Sequence, residues 1–425
     1  MRLPDSVPTK SAFGKATPNL NADGTRQVRN YPFSEPTGLE LDPFYSHLRE
    51  HEPLSRVKLP YGDEAWLCTR YEDVRTVLSD ARFSRAETLK RDEPRIGSEV
   101  VNRGLLSMDP PDHTRLRRVA NAGLTPKQSD RLRPLTKEIT EQLIDRLATL
   151  EPPVDLIAEF INPLAVTVIC EMLGVPYEDR EDFQKWSQAV VATTSMEPAQ
   201  INEYLENLNR YMAKLVELRR QEPVDGMLNG MIKVRDTSPD RLSEDELVLV
   251  AVRLLAPGAQ NTVLTLANFL QVLMKHPREL ARLRERPELV PAAIEELIRY
   301  TPFHTSTMFP RYATEDVEVG GTVIRAGEAV VGSIASANRD PEVFSTPEEL
   351  DFERPLNPHL GFGQGHHYCP GTHLARMQLQ VAIEALARRV DDLALAVPEE
   401  SLSWKEGMVV RWVDELPVRW SRIHS

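Results

Sequence analysis

One stretch near the C-terminal end limits what this chain can become more than any other: residues 360–376, which read LGFGQGHHYCPGTHLAR. A glycine-spaced turn, a lone cysteine at position 369 and the start of an apolar-periodic helix meet within it. A cysteine placed just before a helix N-terminus is expected to have a lowered thiol pKa, because the exposed backbone N–H groups and the helix dipole favour the anion. Such a thiolate is either a nucleophile or a metal ligand. Gly363 and Gly365 let the backbone approach a flat or bulky partner and take conformations barred to other residues. A nucleophilic cysteine needs a base within reach, and His367 is available for that. A zinc site from His367, Cys369 and His373, or a buried structural cysteine, are the remaining plain readings.

Haem iron bound by one cysteine thiolate accounts for the whole stretch better. The stretch resembles the haem-binding signature of the cytochrome P-450 family, Phe-Gly-x-Gly-x-His-x-Cys-x-Gly followed by x-x-Leu-Ala-Arg. Phe362, Gly363, Gly365, His367, Cys369, Gly371, Leu374, Ala375 and Arg376 match its fixed positions. The resemblance implies haem b as cofactor, with Cys369 as the metal ligand and Phe362, Gly363, His367 and Gly371 around it.

The rest of the chain is consistent with one large helix-rich domain. Its 425 residues contain no internal repeat, no low-complexity run and no long Gly/Ser linker, and the 33 prolines are dispersed. An apolar content of 41% is ample for a buried core at this length. With 64 acidic against 51 basic residues the net charge is −13, which argues against nucleic acid as a partner. Cys68, Cys170 and Cys369 show no paired spacing, so a disulfide framework is not expected and a reducing compartment is. The N-terminal segment lacks an apolar core of anchor length, and the most apolar run, residues 247–256, is short and carries Arg253. A soluble cytoplasmic protein without a membrane span is expected. The fold class expected is mainly α with a small β region, a single-domain P-450 fold. Residues 1–36 would be an extended N-terminal arm and 37–425 the haem domain.

Along the chain, VKLPYGDEAWLCTRY alternates apolar and polar residues about a Tyr-Gly turn and predicts a β-hairpin. The charged segment 81–104 resembles the family's mobile loop over the substrate pocket. In MDPPDHTRLRR the prolines and Asp112 mark a helix start, and His113 and Arg117 lie four apart on one face, a pairing suited to carboxylates. By resemblance they hold haem propionates, with Arg311 and His367 as further ligands. Arg115, Arg118, Lys127, Arg131 and Arg133 add a basic cluster where an acidic electron donor could dock. Helices between about 178 and 221 would roof the pocket, again by resemblance. Cys170, among apolar residues, is expected to be inert core.

The segment SEDELVLVAVRLLAPGAQNTVLTLANFLQVLMKH predicts one long helix with a Ser243/Glu246 capping box. Pro257 in its middle is expected to kink or open it, with Gly258 and Ala259 leaving room for dioxygen and water. The family usually carries an acid and a threonine here, a pair that helps deliver protons on the oxygen side. Aligned on Gly258, this chain has Gln260 and Asn261 instead, and an amide is no ready proton relay. Thr262, about 100° further round, is not expected simply to take over. These three are the candidate catalytic residues. Protons would then come through water or the substrate, or the enzyme would couple radicals without inserting oxygen.

Glu296 and Arg299 stand three apart in PAAIEELIRYTPF and, with Arg354 in FERP, resemble the family's buried ion-pair network behind the cysteine loop. Candidate substrate contacts are Ala256, Phe303, His304, Thr305, Ser306, Met408 and Val409. The implied activity is reductive activation of dioxygen and hydrogen-atom abstraction from a small, aromatic or cyclic-peptide natural product, ending in hydroxylation or C–C/C–N coupling. No flavin or nicotinamide segment is evident, so ferredoxin and ferredoxin reductase are the expected electron donors. A haem-binding module without turnover and a peroxide-driven oxidase are the competing readings.

Overall fold

The computed structural model describes residues 27–34, 38–97, 104–190, 196–237, 242–304, 309–405 and 410–425. Thr305, Ser306, Met408, Val409 and the Ala256 side chain lie outside the described residues.

The helices are α1 (Phe44–His51), α2 (Tyr71–Ser79), α3 (Asp112–Gly123), α4 (Pro126–Leu147), α5 (Asn162–Leu173), α6 (Arg180–Ser187) and α7 (Pro198–Gln221). They continue with α8 (Met227–Thr237), α9 (Glu244–Lys275), α10 (Pro277–Glu285), α11 (Val290–Tyr300), α12 (Ile334–Ala337) and α13 (Thr372–Arg389). The main sheet joins β1 (Val28–Asn30), β2 (Leu54–Lys58), β3 (Glu64–Cys68) and β4 (Phe83–Ser84) to strands far along the chain. After β5 (Val154–Asp155) come β6 (Arg311–Ala313), β7 (Val317–Val319), β8 (Thr322–Ile324) and β9 (Ala329–Gly332), and the main sheet runs β1-β2-β3-β9-β6-β4.

The expected hairpin is β2–β3, with Arg56 opposite Trp66 and its guanidinium 5.0 Å from the indole centroid. The Gly-Gly turn joins β7 to β8 with φ of 53° and 77° at Gly320 and Gly321, the left-handed pair that a two-residue hairpin turn demands. Val28–Asn30, inside the segment read as an extended arm, pairs in parallel with β2, and Tyr31 beyond it is buried.

α9 is the central element, packed against α5, α7 and α13. Ser243 and Glu246 close the capping box in both directions. The helix runs unbroken from Glu244 to Lys275, so of the kink or opening expected at Pro257 the opening does not occur. A proline deletes only one ladder bond, and the helix continues on both sides of it. α5 stops at Gly174, whose φ of 69° makes the left-handed cap. No helix among the described residues is long and apolar enough to cross a membrane.

Candidate functional site

The cysteine loop folds back on itself through backbone bonds. The Gly363 N–H donates to Leu360 O at 2.7 Å, and the Cys369 N–H donates to Phe362 O at 2.9 Å. A single 3-10 turn, Gly365–His367, then delivers the chain to α13. Gly365 has φ of 71°, and a Cβ there would stand 2.8 Å from Leu78 O at the end of α2. Only glycine allows both. At Gly371 a Cβ would lie 4.0 Å from Cys369 Sγ, in ordinary van der Waals contact with it.

A buried network stands behind the loop. Arg299 donates from Nε and NH2 to the two oxygens of Glu296 at 2.8 and 2.7 Å. Arg354 reaches the same carboxylate at 3.1 Å, and Asn357 and the Asp351 N–H complete its shell at 3.0 and 2.9 Å. Burial alone would raise the Glu296 pKa, but the bonds from Arg299 and Arg354 outweigh it and the pKa is lowered. Arg299 also donates to Asn338 O, and the Asn338 side chain accepts from the Leu360 N–H at 2.8 Å. The brace therefore reaches the first residue of the loop through Asn338. Arg376 is held by Glu295 through two bonds of 2.7 Å and lies 4.5 Å over the Phe362 ring.

The thiol expectation needs correction. Burial pushes the Cys369 pKa up, and the Gly371 N–H together with Arg117 and Arg376 only partly opposes this. The desolvation cost of a thiolate exceeds what one N–H and two distant cations return. A bound metal, not the helix start, would be needed to deprotonate it.

Cys369 faces a cavity of about 490 Å³, within the ordinary range for a small-molecule site. On the cysteine side its walls include Phe362, Gly363, His367, Gly371, Leu374 and Ala375; on the α9 side they include Gly258, Asn261 and Thr262. His113, Arg117, Arg311, Phe303 and His304 also line it. Gln260 does not; it is 2% exposed on another face of α9. No described residue of α6 or α7 lines the cavity, whereas Ile169 and Met172 of α5 do; residues 191–195 of the expected roof lie outside the described residues. His373 is exposed on the outer side of α13, so the zinc set of His367, Cys369 and His373 does not assemble.

Both ring nitrogens of His113 and of His367, and Arg311 Nε, are buried without hydrogen-bond partners. Burial, with neighbouring His366 and Arg117, lowers the His113 pKa to about 4; burial, with Arg311 and His113, takes His367 to about 2. Burial also brings Arg311 down to about 10. Neutral imidazoles and a cationic guanidinium with unspent donors suit paired carboxylates, so the residues present fit the propionate edge of a haem. Arg117 is turned toward the loop itself, donating to Tyr368 O.

On the α9 face, Thr262 lines the cavity with Asn261, and its Oγ1 donates to Gly258 O at 2.8 Å. The cavity is broad enough to span about 100° of helix, so both positions border it. Sequence reading missed Thr265 and Asn268, which continue this polar stripe at three- and four-residue steps, and also Thr301 and Arg411. The stripe was readable as hydrophilic positions at helical spacing within an apolar helix. Of the basic cluster, Arg115 pairs with Glu246, Arg131 with Asp225, and Arg133 bonds Gln380. Arg118 and Lys127 are exposed. Cys170 is buried, and burial raises its pKa to about 12, as expected for inert core.

Fold and site define a class, the helical haem-thiolate oxidoreductases. A family profile described as Cytochrome P450 matches residues 199–391. The chain is 47% identical to the mycinamicin IV hydroxylase/epoxidase of Micromonospora griseorubida over 93% of its own length and 99% of that protein's. It is 45% identical to the nocardicin C N-oxygenase of Nocardia uniformis subsp. tsuyamanensis, covering 92% and 99% of the two chains. A crystal structure of HinD with NMFT and NO superposes with a TM-score of 0.88 at 46% identity, covering 93% of this chain and 100% of that one. The chain belongs to the cytochrome P450 family. Its members bind haem b through a cysteine thiolate and oxidise small molecules, typically with ferredoxin and reductase partners.

Proposed function

We propose that residues 37–425 form a haem domain in which Cys369 ligates the iron, with His113, Arg117, Arg311 and His367 at the propionates. The domain inserts oxygen into a small natural product, drawing electrons from a ferredoxin and its reductase. When bound, the haem supplies dioxygen activation, and the thiolate favours O–O cleavage. The chain's own part is to position substrate and manage protons. Phe303 and His304 wall the cavity, and burial keeps the imidazole of His304 neutral by lowering its pKa to about 4.

The observation that carries oxygen insertion over radical coupling is Thr262 on the cavity wall, its Oγ1 bonded to Gly258 O. While it donates to Gly258 O, its lone pairs can accept from a cavity water. A hydroxyl so placed holds a proton and can pass it on, which the amide of Asn261 does poorly. Relatives named as a hydroxylase/epoxidase and an N-oxygenase support the same outcome. The test is product mass together with electron accounting in a reconstituted ferredoxin system. Substrate plus one oxygen is expected. Thr262→Ala should divert reducing equivalents to hydrogen peroxide and Thr262→Ser should restore coupling. Two substrates joined with loss of two hydrogens would reject the reading, as would an unaltered Thr262→Ala enzyme.

A further inference from the structure

One end of the cavity carries a cation that the chemistry above does not use. Arg411 lines the wall and is 7% exposed. Its Nε donates to His304 O at 3.3 Å and its NH1 donates to Gly38 O. Its backbone is clamped as well, the N–H donating to Phe303 O at 2.9 Å and the carbonyl accepting from Asn268 Nδ2 at 3.1 Å. All of these partners are neutral.

Other buried arginines have a use: Arg299, Arg339, Arg354 and Arg389 each meet a carboxylate, Arg49 is bonded to Ser336 and Ser46, and Arg311 faces the proposed propionate edge. Arg411 forms no ion pair with any carboxylate among the described residues. The groups that act on its charge are the phenols of Tyr45 and Tyr31, which bond one another at 2.7 Å. Burial, then Tyr31, holds the Tyr45 phenol in its neutral form. A buried guanidinium without a counter-charge is costly, and this one opens onto a ligand cavity. Two further groups on the same wall have unspent capacity, since Asn268 Oδ1 and Thr301 Oγ1 are buried without partners. The proposed propionate ligands come from α3, β6 and the cysteine loop. Arg411 belongs instead with the far half of α9 and the segment after α11.

We propose that Arg411 receives a carboxylate of the substrate, which makes the substrate class small carboxylic acids carrying an additional hydrogen-bond donor for Asn268. This rests on the reading of the cavity as the substrate site. Arg411 fixes one end of the acid, and Thr262 and Asn261 face the cavity two turns earlier along α9. The carboxylate is thus a specificity handle and not the reacting group.

The experiment titrates purified holoprotein with two matched pairs, N-acetyl-L-phenylalanine and 4-phenylbutyrate each against its primary amide. Binding is read by the haem absorption shift and independently by calorimetry. In at least one pair the acid should bind about tenfold or more tighter than the amide, as one charge-assisted bond supplies. Arg411→Gln should erase that preference while leaving amide affinity unchanged, and Arg411→Lys should retain part of it. No acid preference in either pair overturns the proposal. So does an Arg411→Gln protein that loads haem normally but loses acid and amide alike, because the residue is then a strut. If the wild type shows no haem-thiolate spectrum, the proposed function fails, and calorimetric acid preference still reports on Arg411 alone.

Discussion

Four donors converge on the single carboxylate of Glu296, and the chain of bonds continues through Arg299 and Asn338 to the first residue of the cysteine loop. Along the cavity face of α9 the situation is reversed. Thr262 has spare lone pairs, and Asn268 Oδ1 has no partner at all. The Glu296 carboxylate is saturated, whereas the α9 wall is left with capacity. A group that must hold one atom in one place is best surrounded by bonds that admit no alternative. A wall that must meet substrate, water and protons needs donors and acceptors still to be satisfied. The brace behind the cysteine loop and the wall of the cavity thus follow opposite rules because their tasks differ.

Four measurements can break or sharpen that contrast. The largest effect is expected at the loop that the brace holds: Cys369→Ser should abolish turnover and the carbon-monoxide difference spectrum typical of haem-thiolate proteins. Retention of that spectrum would overturn the ligand assignment. Next, Glu296→Gln should destabilise the fold by roughly 3–5 kcal/mol in urea denaturation, because two buried guanidinium groups lose their counter-charge. Asn261→Ala on the open face should cost less than about 1 kcal/mol. Equal losses would erase the distinction.

The third measurement concerns pH. The His304 pKa falls from 6.5 to about 4 on folding because burial disfavours the charged ring. Its folded value lies below its unfolded one, so the unfolded chain binds more protons between them. Stability from this residue is full above pH 6.5 and drains as pH falls toward 4, and His304→Asn should flatten that part of the acid-unfolding curve. An unchanged slope would mean that His304 is not the group being titrated. The smallest effect is expected away from both regions. Arg115→Ala removes a half-exposed pair with Glu246 and should cost about 0.2–1 kcal/mol, less in high salt, with no change in the haem spectrum.

Much of this molecule was legible before any coordinates. The hairpin at β2–β3, the Gly-Gly turn, the capping box of α9 and the Glu296–Arg299–Arg354 set all depend on neighbours close in sequence or on residue types with few alternative uses. One expectation failed and two were narrowed where the outcome depended on surroundings. The Cys369 thiol is raised because the depth of burial, not the helix start, sets the larger contribution. Pro257, expected to kink or open α9, leaves it continuous, since a proline removes only one ladder bond. Thr262 lines the cavity together with Asn261 because the cavity is wide, a property of the space between elements.

By itself, the sequence determined the chemistry available: a cysteine in a glycine-framed turn before a helix, two histidines and two arginines suited to paired carboxylates, and a helix with amides where an acid and an alcohol are usual. Those are matters of residue type and short spacing, and local backbone rules act on them directly. Tertiary structure decided which of those groups face a common space and which keep unspent bonds. Arg411 shows why. Its lack of a carboxylate partner among the described residues is the sum of what Gly38, His304, Asn268 and Tyr45 offer from four distant parts of the chain. No local pattern records that sum, because burial and counter-charge are fixed only once those segments are packed together.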